Sequence, residues 1–171
     1  DPNWLPIEID FIVELINKRG ADKKKYLLFT HSDYDHIIAY GKFKDFETIA
    51  SQNFVDNPKA ADILELIRLF DDENYIKRDY EIAYPSIKFS IDKDDYAHCL
   101  MEDVYVFYQA KGHNSDGLIS FNRSQGILIV GDYLSNIEFP YIYESVKEYK
   151  QTLGKLAHII ETENVKILIP G

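Results

Sequence analysis

The sequence contains a single cysteine, Cys99, among its 171 residues. One cysteine excludes an intramolecular disulfide framework and any zinc site built from several thiolates. Cys99 also lies in no recognisable pattern of a thiol enzyme, so we expect no catalytic thiol. Because a lack of disulfides is typical of a reducing compartment, we expect a cytoplasmic protein.

Long apolar runs are missing as well. No uninterrupted apolar stretch approaches the about 20 residues that cross a bilayer. No basic segment followed by an apolar one opens the chain. We therefore expect neither a membrane partner nor a secretion signal.

Basic residues are outnumbered, with 19 lysines and arginines against 29 aspartates and glutamates and a formal net charge of -10. A surface of this sign repels phosphate backbones, so we expect no nucleic-acid partner. Bound dications would cancel part of this charge locally, so the net value does not describe the field at a metal site.

Apolar and aromatic residues are plentiful: 46% of the chain is hydrophobic, with 13 tyrosines and 10 phenylalanines. This composition is globular, and the length suits one domain over residues 1–171 better than two. A globular domain of this size can bury a substantial core.

The spacing of apolar residues predicts alternating helices and strands. Helices are expected at residues 1–19 with a C-cap at Gly20, at 37–40 ending at Gly41, from 57 to the acidic stop at 71–73, and at 143–161. Strands are expected at 26–29, 46–50, 80–91 with a break at Pro85, 104–108, 118–121, 127–130 and, buried, 165–169. A chain that enters its first strand only after a helix suggests that earlier strands of its sheet are absent.

The segment 31–36 follows a predicted buried strand and holds two histidines and two aspartates. His31, Asp33 and Asp35 would point one way if the alternation of the strand continued into the loop. Four ligand-type side chains in six residues exceed what one ion takes from so tight a segment, so we predict two adjacent ions. Histidine, serine and aspartate are also ordinary loop residues, and a solvent-facing loop is the alternative.

Two more strand ends carry residues of ligand type, each after a glycine. His113 follows Gly112, and Asp132 follows Gly131. Glycine lets the backbone turn sharply where a buried strand opens into a cavity. Each pair alone is typical of a core or turn position, but their joint occurrence after apolar strands favours a shared metal site.

In the order of these elements the sequence resembles the metallo-β-lactamase superfamily of metal-dependent hydrolases. The family pattern His-x-His-x-Asp-His matches at His31, Asp35 and His36, with Asp33 in place of the middle histidine. The later elements match at 112–113, at 131–132 and at the closing apolar-Pro-Gly of 167–171. The histidine that ends the closing element in the family is not in the sequence.

The resemblance implies a four-layer αββα sandwich of the α/β (α+β) class, with the site at one edge of two sheets and with the first strands and last residues of the family fold missing. It also implies two divalent metal ions. The implied ligands are His31, Asp33 and His113 for one ion, Asp35 and His36 for the other, and Asp132 as the bridge. Zinc suits such a mixed site, while Asp33, a harder donor than imidazole, leaves iron or manganese open.

The implied activity is hydrolysis of an ester, thioester or lactone-like bond in a small-molecule substrate. Metal ions lower the pKa of bound water to about 7, and Asp35 would take the proton of that water and orient the resulting hydroxide. The alternatives are a non-hydrolytic metal-binding or di-iron redox domain of the same fold, and a phosphodiesterase. Tyr34 and Tyr133 either line the pocket or pack in the core.

Overall fold

The computed structural model describes residues 1, 3–100, 102–135 and 139–171, and these form two β-sheets. The first sheet is parallel and comprises β1 (Tyr26–Leu28), β2 (Glu47–Ser51) and β3 (Phe89–Ile91). The second comprises β4 (Tyr96–Leu100), β5 (Asp103–Gln109), β6 (Leu118–Asn122), β7 (Ile127–Gly131) and β8 (Ile167–Pro170). Its first four strands are antiparallel, and β8 is parallel to β7.

Helices connect and cover these strands. They are α1 (Pro6–Gly20), α2 (Tyr34–Ile37), α3 (Gln52–Val55), α4 (Ala60–Glu73), α5 (Val146–Thr162) and a 3-10 helix (Tyr40–Phe43). Ser145 caps α5, since its hydroxyl oxygen accepts a hydrogen bond from the Glu148 N–H at 3.3 Å. None of the helices within the described residues has both the length and the apolar character needed to cross a membrane.

The helices and sheets stack as four layers. Ile9 of α1 and Ile67 of α4 are fully buried against the first sheet. Ile49 and Phe107 belong to the core between the two sheets. Leu156 of α5 packs against the outer face of the second sheet. This is the αββα layer order that the resemblance to the metallo-β-lactamase superfamily implies.

The strand directions bring several carboxyl ends to one edge of the sandwich. Since β5 and β7 are both antiparallel to β6, they run the same way, and β8 is parallel to β7. The end of β1 joins this edge, where the Leu118 N–H donates to the Thr30 carbonyl oxygen at 2.7 Å. The loops that follow β1, β5 and β7 therefore lie together.

The first helix is shorter than the sequence predicts. The prediction covers 1–19, whereas α1 begins at Pro6 and includes Gly20 as its last residue. Proline fits the first turn of a helix but not its interior, so the helix begins there. Asp1 lies apart from it, beside the end of β1, where the Asp1 nitrogen donates to the Leu28 carbonyl oxygen at 2.9 Å.

The prediction of a helix at 37–40 is wrong. The helix α2 ends at Ile37, and the 3-10 helix that follows contains Gly41. A Cβ on Gly41 would lie 2.4 Å from the Glu81 carbonyl oxygen. Glycine is therefore required at this position by a close backbone approach and does not end a helix.

The strand predicted at 80–91 is mostly wrong. Only its last residues form β3, while apolar side chains of the preceding segment pack on the core beneath α1 and α4. Tyr84 is one of them, and its hydroxyl donates to the Phe54 carbonyl oxygen at 2.9 Å. The alternation thus reflects burial against helices rather than strand pairing. The strand β4 is an addition to the elements predicted from the sequence.

The helix α4 ends at Glu73, the last residue of the acidic stretch 71–73 at which the sequence predicts it to stop. Within that stretch, the Arg78 guanidinium donates two hydrogen bonds of 2.8 Å to Asp71. The expectation for the last strand fails. The last strand is exposed rather than buried, with Ile167 51% and Ile169 42% exposed. Edge strands have only one neighbour, and β8 forms the edge of its sheet.

Candidate metal centre

Four ligand-type side chains converge where the loops after β1, β5 and β7 meet. His31 and Asp33 lie between β1 and α2, His113 follows β5, and Asp132 comes directly after β7. One donor atom from each of the four lies within 4.8 Å of all the others. Both histidines are buried and both aspartates are partly buried, so the group is shielded from bulk water.

The distances within this group match a tetrahedral ion. The Nε2 atoms of His31 and His113 are 3.2 Å apart. Asp33 Oδ2 lies 3.4 Å from the first and 3.3 Å from the second of these nitrogens. Asp132 Oδ2 lies 3.4 Å from His113 Nε2 and 3.7 Å from His31 Nε2. Tetrahedral bonds of about 2.0 to 2.2 Å separate ligand atoms by about 3.3 to 3.6 Å, and these five distances lie close to that range. The carboxylates of Asp33 and Asp132 come within 4.8 Å of each other, so the group can hold a divalent ion.

The two remaining predicted ligands lie beside this group rather than in it. His36 Nε2 is 3.0 Å from Asp132 Oδ1 and 3.7 Å from Asp35 Oδ2. Because the other oxygen of Asp132 faces His31 and His113, this carboxylate stands between the two sets of residues. All six predicted site residues are thus brought together around Asp132.

The three histidines turn their other ring nitrogens away from the centre. His113 Nδ1 is 2.5 Å from the Tyr141 carbonyl oxygen, and His31 Nδ1 is 3.1 Å from Thr30 Oγ1. A partner at Nδ1 favours a proton there and leaves the Nε2 lone pair free for a metal. The outer contacts therefore prepare the histidines as ligands.

Asp1 supports two of these histidines, although the sequence pattern predicts a helix at its position. Its carboxylate accepts hydrogen bonds from the Thr30 N–H at 2.8 Å and from the Thr30 hydroxyl, which in turn contacts His31. Asp1 Oδ2 also lies 3.2 Å from His36 Nδ1, but not along a well-directed hydrogen bond. One carboxylate thus contacts the outer sides of both ligand positions.

We expect Asp1→Ala to lower zinc affinity about 10-fold to 100-fold, because it removes the acceptor behind Thr30 and the negative charge beside His36. Competition with a chromophoric chelator measures the affinity. The matched control is Asp22→Ala, which removes an exposed carboxylate in the turn after α1. Equal affinities in the two variants would contradict the role of Asp1.

A second supporting network is centred on the buried carboxylate of Asp116. The Asn57 side-chain amide donates to Asp116 Oδ2 at 3.1 Å and to Ser32 Oγ at 2.7 Å. The Ser51 hydroxyl donates to the Asp116 carbonyl oxygen at 2.6 Å. The network joins the loop of His31 to the loop of His113, and no local sequence pattern indicates it.

The two tyrosines singled out in the sequence have different places. Tyr34 lines the cleft above the centre. Tyr133 is 3% exposed, and its hydroxyl accepts a hydrogen bond from the His113 N–H at 3.1 Å and donates to the Lys111 carbonyl oxygen at 2.9 Å. Tyr133 therefore braces the backbone of a ligand loop and packs in the core.

The carboxylates of the centre are held in their ionised form. Burial opposes the charged form of Asp33, but hydrogen bonds from His113 and His31 keep the pKa of Asp33 well below its usual range. Burial also opposes the charged form of Asp132, and the hydrogen bond from His36 and the nearby histidines lower the pKa of Asp132. Deprotonated carboxylates at neutral pH suit a cation site.

The pKa values of His31 and His113 are shifted in opposite directions. Burial, together with the nearby His36, lowers the pKa of His31. Burial also acts to lower the pKa of His113, but hydrogen bonds to Asp33 and to the Tyr141 carbonyl outweigh it and raise this pKa. His113 is therefore the ligand at which protons compete most strongly with a metal ion.

We expect zinc affinity to fall as the pH decreases, beginning above the ordinary histidine pKa of about 6.5. The reason is that His113 must lose a proton from Nε2 to bind, and its raised pKa retains that proton to a higher pH. The loss should be about tenfold per pH unit for each proton displaced, measured by calorimetry. Asp33→Asn removes a carboxylate that raises this pKa and should move the onset to lower pH. An unchanged onset would contradict the assignment.

A cleft of about 820 Å³ opens above the centre. Its lining includes Asp33, His113 and Asp132. Residues of the first turns of α4 and of the segment that precedes α5 also line it. The volume is in the range of small-molecule sites. The donor group is therefore reachable by a substrate.

No protein-family model matches the chain, and no curated protein matches its sequence. Solved structures do match. A metallo-beta-lactamase from Pontibacter korlensis matches with a TM-score of 0.65 and 13% sequence identity. The match covers 99% of this chain and 71% of the Pontibacter chain. A metallo-beta-lactamase family protein from Thermus thermophilus has a TM-score of 0.67 and 20% identity, covering 100% and 63%. A stereoselective inverting sec-alkylsulfatase from Pseudomonas sp. has a TM-score of 0.70 and 14% identity, covering 99% and 32%.

These matches establish that the chain has the metallo-β-lactamase fold, and the predicted fold class is confirmed. The chain spans 63% of the Thermus protein and about a third of the sulfatase, so each of these proteins contains segments with no counterpart here. Shared fold at this level of identity does not carry an activity with it.

Proposed function

We propose that the chain is a metal-dependent hydrolase that cleaves an ester, thioester or lactone-like bond in a small molecule with two divalent ions, which we take to be zinc. The observation that carries the proposal is the convergence of four donor atoms, with His36 and Asp35 beside them, next to an open cleft. The matched structures named metallo-beta-lactamase and alkylsulfatase are hydrolases, which supports the same class. A cytoplasmic location and the lack of nucleic-acid and membrane partners stay predictions.

The chain's own residues have distinct tasks in this proposal. The proposed ligands are His31, Asp33 and His113 for one ion, Asp35 and His36 for the other, and Asp132 for both. Bound divalent ions lower the pKa of water and polarise the bond under attack. Asp35, with a side chain 36% exposed and outside the tetrahedral group, is placed to accept the proton of the attacking water.

The test combines metal analysis with a substrate panel on the purified chain. Two zinc ions per chain and turnover of p-nitrophenyl acetate, an acyl thioester or a lactone would support the proposal. Asp35→Asn should abolish turnover and retain the ion of the tetrahedral group. One tightly held ion without turnover, or two iron ions with a visible absorption band, would favour a non-hydrolytic or redox domain. Faster cleavage of bis(p-nitrophenyl) phosphate than of esters would favour a phosphodiesterase.

A further inference from the structure

The cleft above the metal centre has aromatic walls on two sides. Trp4 and Tyr34 form one side, with ring centroids 6.2 Å apart. Tyr141 and Tyr143 form the other, stacked at 6.0 Å with an interplanar angle of 8°. Tyr141 is 56% and Tyr143 65% exposed, and the Tyr143 ring lies 5.4 Å from that of His113. Aromatic faces are thus available next to the proposed reacting centre.

The charged residues on these walls are mostly acidic. Beyond the proposed metal ligands, the cleft is lined by the exposed carboxylates of Asp62 and Glu144 and by the buried carboxylate of Asp116. Lys59 is the one lysine or arginine among the described residues that line it. Asp116 is already bound by Asn57, so two acidic groups against one lysine face the solvent.

Two bound divalent ions would not make the net charge of the cleft strongly positive. Two dications bring four positive charges to a floor that holds the three carboxylates of Asp33, Asp35 and Asp132. The excess of one positive charge is offset by the acidic walls, and a single dication leaves the cleft more negative. An anionic substrate would therefore gain little attraction from the cleft.

We propose that the cleft recognises an organic cation, so that the substrate is an ester, thioester or lactone carrying an alkylammonium or arylammonium group. Ammonium groups are attracted by the ring quadrupoles to Tyr141, to Tyr143 and to the face of Trp4 that is not stacked on Phe70. The carboxylates of Asp62 and Glu144 favour a cation over a neutral group of the same shape. This inference rests on the proposed function, because it names the substrate class of that site.

The chain's single tryptophan provides a direct binding assay, because Trp4 lines the cleft. Zinc-loaded protein is titrated with meta-hydroxyphenyltrimethylammonium, its neutral isostere meta-tert-butylphenol, and the anion meta-hydroxybenzenesulfonate. We expect the cation to bind about fivefold or more tightly than the isostere, with an advantage that shrinks as salt is added. Equal or tighter binding of the neutral or anionic compound would overturn the inference.

Variants show whether the wall residues cause the preference. The double variant Asp62→Asn, Glu144→Gln should remove most of the advantage of the cation, about fivefold, and leave binding of the neutral isostere unchanged. Its matched control is Asp22→Asn, Glu161→Gln, which changes the net charge equally at exposed positions that do not line the cleft. An equal effect of both double variants would assign the preference to net charge and overturn the inference.

The aromatic contribution has its own pair of variants. Tyr143→Leu keeps an apolar side chain but removes the ring face, so it should weaken binding of the cation about twofold to fivefold. Tyr143→Phe keeps the face and should restore the affinity. If both variants bind the cation as the original chain does, Tyr143 has no part in recognition and the aromatic argument fails.

Hydrolysis separates this inference from the proposed function. Choline acetate and its neutral carbon isostere, dimethylbutyl acetate, are compared with the zinc-loaded chain. Cleavage of both, faster for choline acetate, supports both conclusions. Faster cleavage of the neutral ester overturns the substrate class alone. If neither ester is cleaved, nor any compound of the earlier panel, while the ammonium ligand binds selectively, the hydrolase proposal fails and recognition of the cation stands.

Discussion

Replacing Asp132 with alanine is expected to lower zinc affinity about 100-fold or more and to abolish hydrolysis, while the fold is retained. Its two carboxylate oxygens face different histidines: Oδ1 is 3.0 Å from His36 Nε2, and Oδ2 is 3.4 Å from His113 Nε2. Losing this one side chain therefore takes a ligand from both proposed ions.

The experiment compares Asp132→Ala with Asp132→Asn. Asparagine keeps one oxygen donor but not the charge, so its zinc affinity should lie between those of alanine and the original residue. Zinc content after dialysis and competition titrations give the affinities, and circular dichroism reports on the fold. Unchanged zinc content in Asp132→Ala would remove this residue from the site.

Replacing Gly112 with alanine is expected to destabilise the protein by about 4 kcal/mol or more. Gly112 has a φ of 123°, which is unfavourable for alanine. An added Cβ would lie 2.1 Å from the backbone nitrogen of Tyr149 and 2.4 Å from its Cα, in the first turns of α5. Because these atoms are backbone, the helix itself must move away from the second sheet.

The matched control for Gly112→Ala is Gly154→Ala, which lies within α5, the helix that Gly112 contacts. Nothing lies within 4 Å of a Cβ at Gly154, which is exposed. Alanine there should stabilise the helix by up to about 1 kcal/mol. Urea unfolding of the metal-free chains gives both values. A loss below about 1 kcal/mol in Gly112→Ala would show that α5 accommodates the methyl group without cost.

The position of the candidate site could be predicted because its ligands lie in the segments that follow strands β1, β5 and β7. His113 and Asp132 come after apolar segments, and the glycines before them have positive φ, as a sharp turn at a strand end requires. The expectation that strand alternation continues through 31–36 and orients His31, Asp33 and Asp35 is wrong. Strand alternation does not continue there, since α2 begins at Tyr34 and places Asp35 on a helical turn.

The supporting residues could not be predicted from local pattern. Asp1 meets Thr30 across 29 positions of sequence, and Asp116 meets Ser32 across 84. A carboxylate that accepts such distant hydrogen bonds looks like any other acidic residue in its own segment. The same limit explains the strand wrongly predicted at 80–91, where alternating apolar residues pack on helices and lack a partner strand.

Residue type and spacing were enough to predict a globular chain of alternating helices and strands with ligand-type residues at strand ends, since these depend on local periodicity and composition. The arrangement of two sheets between helices followed only from the resemblance to a known family. Distances of 3.2 to 3.7 Å among donor atoms, the inward direction of each Nε2 and the aromatic, acidic walls of the cleft depend on packing between remote segments. Such contacts are set by how the two sheets join at one edge, and the order of amino acids within any single segment does not specify that junction.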